Sequence, residues 1–276
     1  MKKIFTTIFM VAIGVITSWA QVYTVKVTPN NPELGEVEIS QVAFSVSATK
    51  KVRFSPGNLQ YQASTKTWRF AEHQYDYIGD ANRNISPTYS GWIDLFGWGT
   101  GKNPTNTSTE HEYYSTFEDW GVNKISNGGN QAGLWRTLTN EEWNYLFNSR
   151  TNYNKLWSFA TVNGIKGVVL LPDLWCLPSG LTFTAASKDF GTNVYTVAQW
   201  TKMENAGAVF LPAVGYRYGT RMVNVGTDGY YWSSTYSNSS CAYGVSFGSM
   251  TFNASFITNY RPHGKSVRLC TEISSK

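Results

Sequence analysis

Three histidines, three cysteines and a scatter of carboxylates are the groups in this 276-residue chain that could do acid–base, nucleophilic or metal chemistry. His111-Glu112 is not followed by a second histidine at the spacing a zinc protease needs, and His73 and His263 stand alone. Cys176, Cys241 and Cys270 form no C-x-x-C pair and no Cys/His cluster, which leaves a structural zinc site without support. An odd cysteine count allows at most one internal disulfide. Cys241 and Cys270, in neighbouring strand-like runs, could form it, and free thiols are the alternative. Asp94, Glu112, Glu118, Asp119, Glu141 and Glu142 are the carboxylates from which a glycoside-hydrolysing pair would have to come. Glu142 is better explained as a helix cap, and Asp94 and Asp119 fall in loop-like sequence. No G-x-S-x-G, P-loop or dinucleotide fingerprint occurs. The expectation is a protein without catalytic residues, metal or cofactor.

What remains is the chemistry of binding loops. Tyrosine gives a large contact area for few rotatable bonds, while serine, asparagine and glycine give adaptable hydrogen bonding. Residues 232–240 and 249–260 have that composition; plain hydrophilic hairpin turns are the alternative. The chain is 42% hydrophobic and 16% aromatic, ample for a core, but only 15% charged, below the usual ~25%. Its net charge is +5 with no dense Lys/Arg stripe, which argues against nucleic acid as a partner.

The elements that would position such loops are legible in outline. Lys2 and Lys3, an apolar run over residues 4–16 and the small-x-small site Ser18-Trp19-Ala20 predict a signal peptide over residues 1–20, with Gln21 as the mature N-terminus. The run is shorter than the ~20 apolar residues a bilayer span needs, and no later stretch is apolar enough, so no membrane span is expected after cleavage. The protein is expected to be exported: periplasmic, at the cell surface or secreted. Residues 21–42 alternate apolar and polar positions around a Pro/Asn turn and predict a short strand-rich arm. Residues 43–276 make the main domain. Thr139-x-x-Glu142 and Thr196-x-x-Gln199 are capping boxes that predict two short helices. Trp143, Leu146 and Phe147 form the apolar face of the first, and Gly207 is placed to end the second. After Gly207, short aromatic and β-branched runs alternate with polar loops, so the fold class is α+β.

Several of these stretches form an ordered set: Lys51-Val-Arg-Phe-Ser-Pro-Gly-Asn-Leu-Gln-Tyr61, Trp68-Arg-Phe70, Gly91-Trp-Ile-Asp-Leu-Phe-Gly-Trp-Gly99, Trp135-Arg-Thr-Leu-Thr-Asn-Glu-Glu-Trp143, Leu211-Pro-Ala-Val-Gly-Tyr-Arg217, Tyr231-Trp-Ser-Ser-Thr235 and Ser266-Val-Arg-Leu269. Over about residues 43–270 the chain resembles exported paralogous proteins of gut Bacteroidales, of the Fibrobacter major paralogous domain type. That group is similar to the C-type-lectin-like fold of the formylglycine-generating enzyme, whose R-L-P-T-x-x-E-W helix start corresponds to Arg136–Trp143. The resemblance implies a C-type-lectin-like fold with two short helices and a twisted antiparallel sheet bearing long loops. The enzyme's paired catalytic cysteines are not matched by Cys241 and Cys270, so its activity is not implied. The calcium- and sugar-binding tripeptides of true C-type lectins are absent.

A narrower resemblance is to the variable proteins of diversity-generating retroelements, which display changeable ligand-binding residues between a W-S-S-type and an S-V-R-type strand. It implies a binding surface within residues 236–265. The ligand-facing residues are expected to be Tyr236, Ser237, Asn238, Ser239, Ser240, Ser246, Met250, Phe252, Asn253, Phe256, Thr258, Tyr260 and His263. Trp232, Tyr243, Val245, Phe247, Val267 and Leu269 have the size and alternation to face the core, which turns Gly244 and Ser246 towards ligand or solvent. Phe252, Phe256 and Tyr260 recur every four residues in a segment too polar for a helix, so exposed aromatics are expected there, with a core position under a long loop as the alternative for the two phenylalanines. The function expected is a non-catalytic adhesin or receptor-like protein with a protein or glycan ligand at a cell surface. The alternatives are a structural or tip subunit of a surface polymer and a sulfatase-modifying-type enzyme relative.

Overall fold

The computed structural model of the chain describes residues 42–249 and 251–273, and of residues 254–257 the backbone alone. The expected leader and nearly all of the expected arm lie outside the described residues, as do Met250 and the side chain of Phe256. The elements run β1 (Phe44–Ser45), β2 (Lys51–Phe54), β3 (Leu59–Gln62), β4 (Thr67–Phe70), β5 (Trp92–Ile93), helix α1 (Asn140–Asn148), β6 (Trp157–Val162), β7 (Ile165–Leu170), β8 (Val194–Tyr195), helix α2 (Val197–Asn205), β9 (Val209–Pro212), β10 (Tyr216–Tyr218), β11 (Arg221–Val223), β12 (Gly229–Tyr236), β13 (Cys241–Gly248), β14 (Thr251–Tyr260) and β15 (Cys270–Glu272). Among the described residues, mostly short strands with two α-helices make an α+β architecture.

Both helices start where the capping boxes predict. Thr139 Oγ1 accepts from the Glu142 N–H at 3.2 Å while Glu142 Oε2 accepts from the Thr139 N–H at 2.9 Å. Thr196 and Gln199 repeat the exchange at 3.3 and 2.9 Å. Each box satisfies two helix-end donors locally, and at α1 the Asn140 N–H is taken up by Thr235 Oγ1 at 2.9 Å. Trp143, Leu146 and Phe147 are buried on α1, and Trp200 and Met203 on α2. Gly207 adopts φ +97° and donates its N–H to the Glu204 carbonyl at 2.8 Å, closing α2.

Among the described residues the strands form five small sheets. In the largest, ordered β8-β6-β7-β9, the β6–β7 hairpin turns on Asn163 and Gly164, both with positive φ, the two-residue turn that matches strand twist. β8 joins β6 in parallel over two residue pairs; the other pairings are antiparallel. β15 pairs with β2, Cys270 opposite Phe54, so the end of the described chain closes onto its beginning.

The β12-β13-β14 sheet carries most of residues 236–265. Tyr231, Val245 and Phe247 enter a core cluster with Trp143, Leu146 and Phe147 of α1 and with Phe159. Trp232 and Ala242 enter a second cluster with Phe96, Trp98, Trp120, Val267 and Leu269. Trp232, Val245, Phe247, Val267 and Leu269 are thus core residues as alternation predicts, and Tyr243 is half-buried. The same two-sided covering corrects the expectation for Ser246. It is buried, opposite Tyr230 on β12 and Asn253 on β14. Alternation separates two faces but does not say that one of them meets water; here both are covered.

All three cysteines are free thiols: Cys176 exposed, Cys241 half-buried and Cys270 buried. Among the described residues no helix is long and apolar enough to cross a membrane.

Candidate functional site

One end of the β12-β13-β14 sheet is closed by the segment that follows β14. Residues 261–266 are threaded through the fold by backbone hydrogen bonds: Trp98 N–H to the Arg261 carbonyl (2.9 Å), a reciprocal pair between Phe96 and Lys265 (2.9 Å each), a reciprocal pair between Arg217 and Gly264 (2.8 and 2.7 Å), and Ser266 N–H to the Tyr230 carbonyl (3.0 Å). The segment's first residues form a turn, closed by the His263 N–H on the Tyr260 carbonyl at 3.1 Å. Arg261 and Lys265 are buried, and His263, midway between them, is half-exposed. Gly264 leaves room for a cation: a Cβ there would lie 3.0 Å from the Arg217 guanidinium and from the Leu95 carbonyl.

Around His263 stands a group of aromatic rings. Its imidazole stacks on Tyr216 (centroids 4.9 Å apart, 19° between planes) and meets Tyr218 and Tyr260 edge-on at 5.3 and 5.5 Å. Tyr216 meets Tyr230 edge-on at 5.3 Å. His111, in the 3-10 turn His111–Tyr114, adds its ring 5.5 Å from Tyr260. Tyr218 and Tyr260 are 48% and 55% exposed, so the group has an open face. Tyr236, 51% exposed, sits beside it. Its ring is 5.5 Å from the Arg261 guanidinium carbon, which also lies 6.0 Å from the Trp98 ring.

Beneath the rings lie three buried cations, Arg217, Arg261 and Lys265. Their partners are neutral. Arg217 donates to the carbonyls of Gly219 and Asn106, the latter at 3.3 Å. Arg261 donates to the carbonyls of Ser239 and, at 3.4 Å, His111. Lys265 Nζ donates to Asn259 Oδ1 and lies 4.9 and 4.8 Å from the Tyr230 and Trp232 rings. Burial pushes Arg217 down to about 10 and Lys265 well below the usual lysine range. Burial lowers His263 to about 4, helped by the positive charges of Lys265, His111 and Arg217.

The sequence-predicted residues divide into two groups along the β13–β14 hairpin. Tyr236, Tyr260 and His263 come together at the closed end, with Ser237, Asn238, Ser239 and Ser240 in the β12–β13 turn beside them. There Asn238 Oδ1 accepts from the Ser240 and Cys241 N–H groups at 2.9 and 3.0 Å, so that side chain shapes the turn. Thr258, exposed, pairs with Tyr243. Ser246, Phe252 and Asn253 lie at the other end, where Phe247 pairs with Phe252 across the turn, roughly 20 Å away along strands of ~3.3 Å per residue. Asn253 is exposed there. Phe252 does not present an exposed ring: it stacks on Trp157 at 4.3 Å and meets Phe147 at 4.8 Å and Phe159 at 5.9 Å. That corrects the expectation for this residue, because a bulge between Gly244 and Ser246 breaks any link between four-residue spacing and a common face.

Sequence reasoning missed Tyr216, Tyr218, Tyr230, His111, Arg217 and Arg261. The available signal was the aromatic–cation–aromatic triplet Tyr216-Arg217-Tyr218 and the two-residue spacing of Arg261, His263 and Lys265. Three of the carboxylates weighed for catalysis, Glu142, Asp119 and Asp94, have structural partners. Glu142 holds Arg136 through two contacts of 2.7 Å, and Asp119 accepts from Gly121 and Thr137. Asp94, fully buried and raised by burial to about 6, accepts from Ile78 and Asn82. A depression lined by Ser187, Lys188, Asp189, Phe190 and Ser249 contains none of the aromatic or cationic groups described above.

Residues 187–270, which run from before α2 to the first residue of β15, match a family described as a domain of unknown function (DUF8237). The match takes in every residue of the ring group except His111. No curated protein and no solved structure matches the chain.

Proposed function

We propose that the chain is an exported, non-catalytic ligand-binding protein of adhesin or receptor type, built on a C-type-lectin-like fold, which takes a protein or glycan ligand on a surface formed within residues 236–265. The observation that carries this reading is the open aromatic face made by Tyr260, Tyr218 and His263 with Tyr236 beside it. Grouped exposed rings mark interaction sites, and tyrosine is well suited to them because its ring packs while its hydroxyl hydrogen-bonds. Tyr236, Asn238, Ser239, Asn253, Thr258 and Tyr260 are all exposed, so much of the segment can change its side chains without touching the core. The setting of Cys270 supports the same reading. Cys270 is buried in the α1-facing core cluster, and burial pushes its thiol up, away from the thiolate a sulfatase-modifying chemistry would need.

The test is capture of the secreted protein on a printed glycan array and on intact host and bacterial cells, beside the double variant Tyr236→Ala/Tyr260→Ala. Capture by the natural chain and its loss in the variant, with an unchanged melting temperature, is the expected result. Equal capture by both proteins would place the site elsewhere. A large drop in melting temperature would make the two tyrosines structural.

A further inference from the structure

We propose that the ring group around His263 is a subsite for an acidic saccharide, a sugar bearing a carboxylate or sulfate, with the anionic group seated at His263 above the buried cations Arg217, Arg261 and Lys265. The proposal rests on the ligand-binding reading and names the chemistry of the ligand.

The argument begins with unbalanced charge. A buried cation is normally paired with an anion, because desolvation is costly and neutral acceptors compensate only part of it. Two other arginines follow that rule: buried Arg150 pairs with Asp173 at 3.2 Å, and half-buried Arg136 pairs with Glu142 at 2.7 Å, whereas buried Arg268 donates to the neutral oxygens of Ser55, Asn58, Gln74 and Phe210. Arg217, Arg261 and Lys265 depart from it. Among the described residues none of the three has a carboxylate within ion-pairing distance, and their hydrogen-bond acceptors are carbonyls and one asparagine. The Nε of Arg217, the Nε of Arg261 and the Nδ1 of His111 are buried without a partner. Two buried guanidiniums, the Lys265 amine and unfilled donors on one side of a ring layer leave a positive field at the layer's outer face, opposed at one edge by Asp228, whose carboxylate accepts from the Tyr230 hydroxyl at 3.1 Å.

The second line is the shape and chemistry of that outer face. The exposed large side chains of the ring group and beside it, Tyr218, Tyr260 and Tyr236, are all tyrosines. Flat rings with hydroxyl edges suit the C–H face and hydroxyl groups of a sugar ring, whereas a peptide anchor calls for an enclosed apolar pocket. His263 supplies the contact to the acid group. In the free protein burial, helped by the charges of Lys265 and Arg217, lowers its imidazole to about 4. An anion seated against it reverses that balance, so the ring takes up a proton and makes a charge-assisted hydrogen bond.

The experiment follows His263 by NMR titration in the whole secreted protein. The probes are a sulfated disaccharide, its desulfated counterpart, inorganic sulfate and a short poly-glutamate peptide. The expected result is a rise of at least one unit in the His263 pKa with the sulfated disaccharide. Its affinity should increase as pH falls from 7 to 5, decline with salt, and exceed that of the desulfated sugar at least tenfold. Lys265→Met and Arg261→Gln should each remove that preference while leaving weak binding of the neutral sugar. Should either variant fail to fold, the titration of the natural chain still decides. Equal affinity for sulfated and desulfated sugar overturns the proposal, as does an unmoved His263. An equal response to inorganic sulfate or to poly-glutamate overturns the assignment to a saccharide. If glycan-array capture depends on Tyr236 and Tyr260 but ignores charge, this proposal falls and the ligand-binding reading stands. If nothing is captured at all, both fall.

Discussion

The imidazole of His263 lies face to face with the ring of Tyr216, their centroids 4.9 Å apart and their planes 19° from parallel. The stack holds a neutral imidazole half-buried among positive charges: Lys265, His111 and Arg217 all oppose its protonation, and Tyr218 and Tyr260 close its edges.

This arrangement gives His263 a contribution to stability that is lost in acid. The His263 pKa falls from 6.5 in the unfolded chain to about 4 in the fold. Between those values the unfolded chain binds the proton and the folded chain does not, so stability is full above about 6.5 and declines as pH falls towards 4. His263→Asn should flatten that part of a plot of melting temperature against pH. An unaltered acid slope in the variant would show that His263 does not titrate in this way.

Glu204 acts in the opposite direction. It is buried on α2, accepts from Gln74 Nε2 at 2.7 Å, and is raised by burial from 4.5 to about 8 despite the nearby Arg268. The folded chain therefore keeps a proton that the unfolded chain gives up. Its contribution is complete below pH 4.5 and is lost as pH rises through about 8. Glu204→Gln keeps the shape and an acceptor for Gln74 but does not ionise. It should raise the melting temperature at pH 9 and leave it nearly unchanged at pH 4; a variant less stable at pH 9 would contradict this.

The parts of this fold that were legible in the sequence are those whose cause is local. Thr139 and Glu142 satisfy each other three residues apart, so the helix start can be read without its neighbours. Val245 and Phe247 declare themselves by alternation and size. Ser246 does not, since its burial depends on which cluster covers the second face of the sheet. Phe252 and Tyr260 sit in equally polar surroundings in sequence, yet one stacks on Trp157 and the other stands 55% exposed. What separates them is the bulge between Gly244 and Ser246 and the approach of β6, both of them tertiary facts. The cationic floor of the site was the least legible part. Arg261 meets the carbonyl of His111, 150 residues earlier in the chain, and no spacing rule reaches that far.

The two helix caps should differ in weight. Thr196 belongs to a solvent-exposed box, and Thr196→Ala should cost about 1 kcal/mol, the ordinary value for a lost N-cap. Thr139 fixes Glu142, which in turn holds Arg136 with two contacts of 2.7 Å, and Arg136 also reaches Glu272 at 3.2 Å. Thr139→Ala loosens that chain as well as the cap and should cost about 2 kcal/mol, at the top of the range. Urea denaturation of both variants measures the difference; equal losses would mean that Arg136 and Glu142 stay paired without the cap.

Phe252 provides the sharpest contrast with the ring group, because composition alone would place it on the binding surface. Its ring lies 28° from parallel with Trp157 at 4.3 Å and edge-on to Phe147 of α1 at 4.8 Å, so it ties the β14 strand to both β6 and the helix. Truncating a buried phenylalanine costs about 3–5 kcal/mol in transfer and cavity terms. Phe252 is partly exposed, which lowers the expectation for Phe252→Ala to roughly 2–4 kcal/mol. Phe252→Leu should recover about half of that, since an aliphatic side chain refills the space but loses the ring contacts. Asn253→Ala, one residue on and exposed, should leave stability within about 0.5 kcal/mol. All three variants should capture ligand as the natural chain does wherever they remain folded, because the ring group lies at the opposite end of the hairpin. Loss of capture in a folded Phe252→Leu protein would move the binding surface to this end and away from His263.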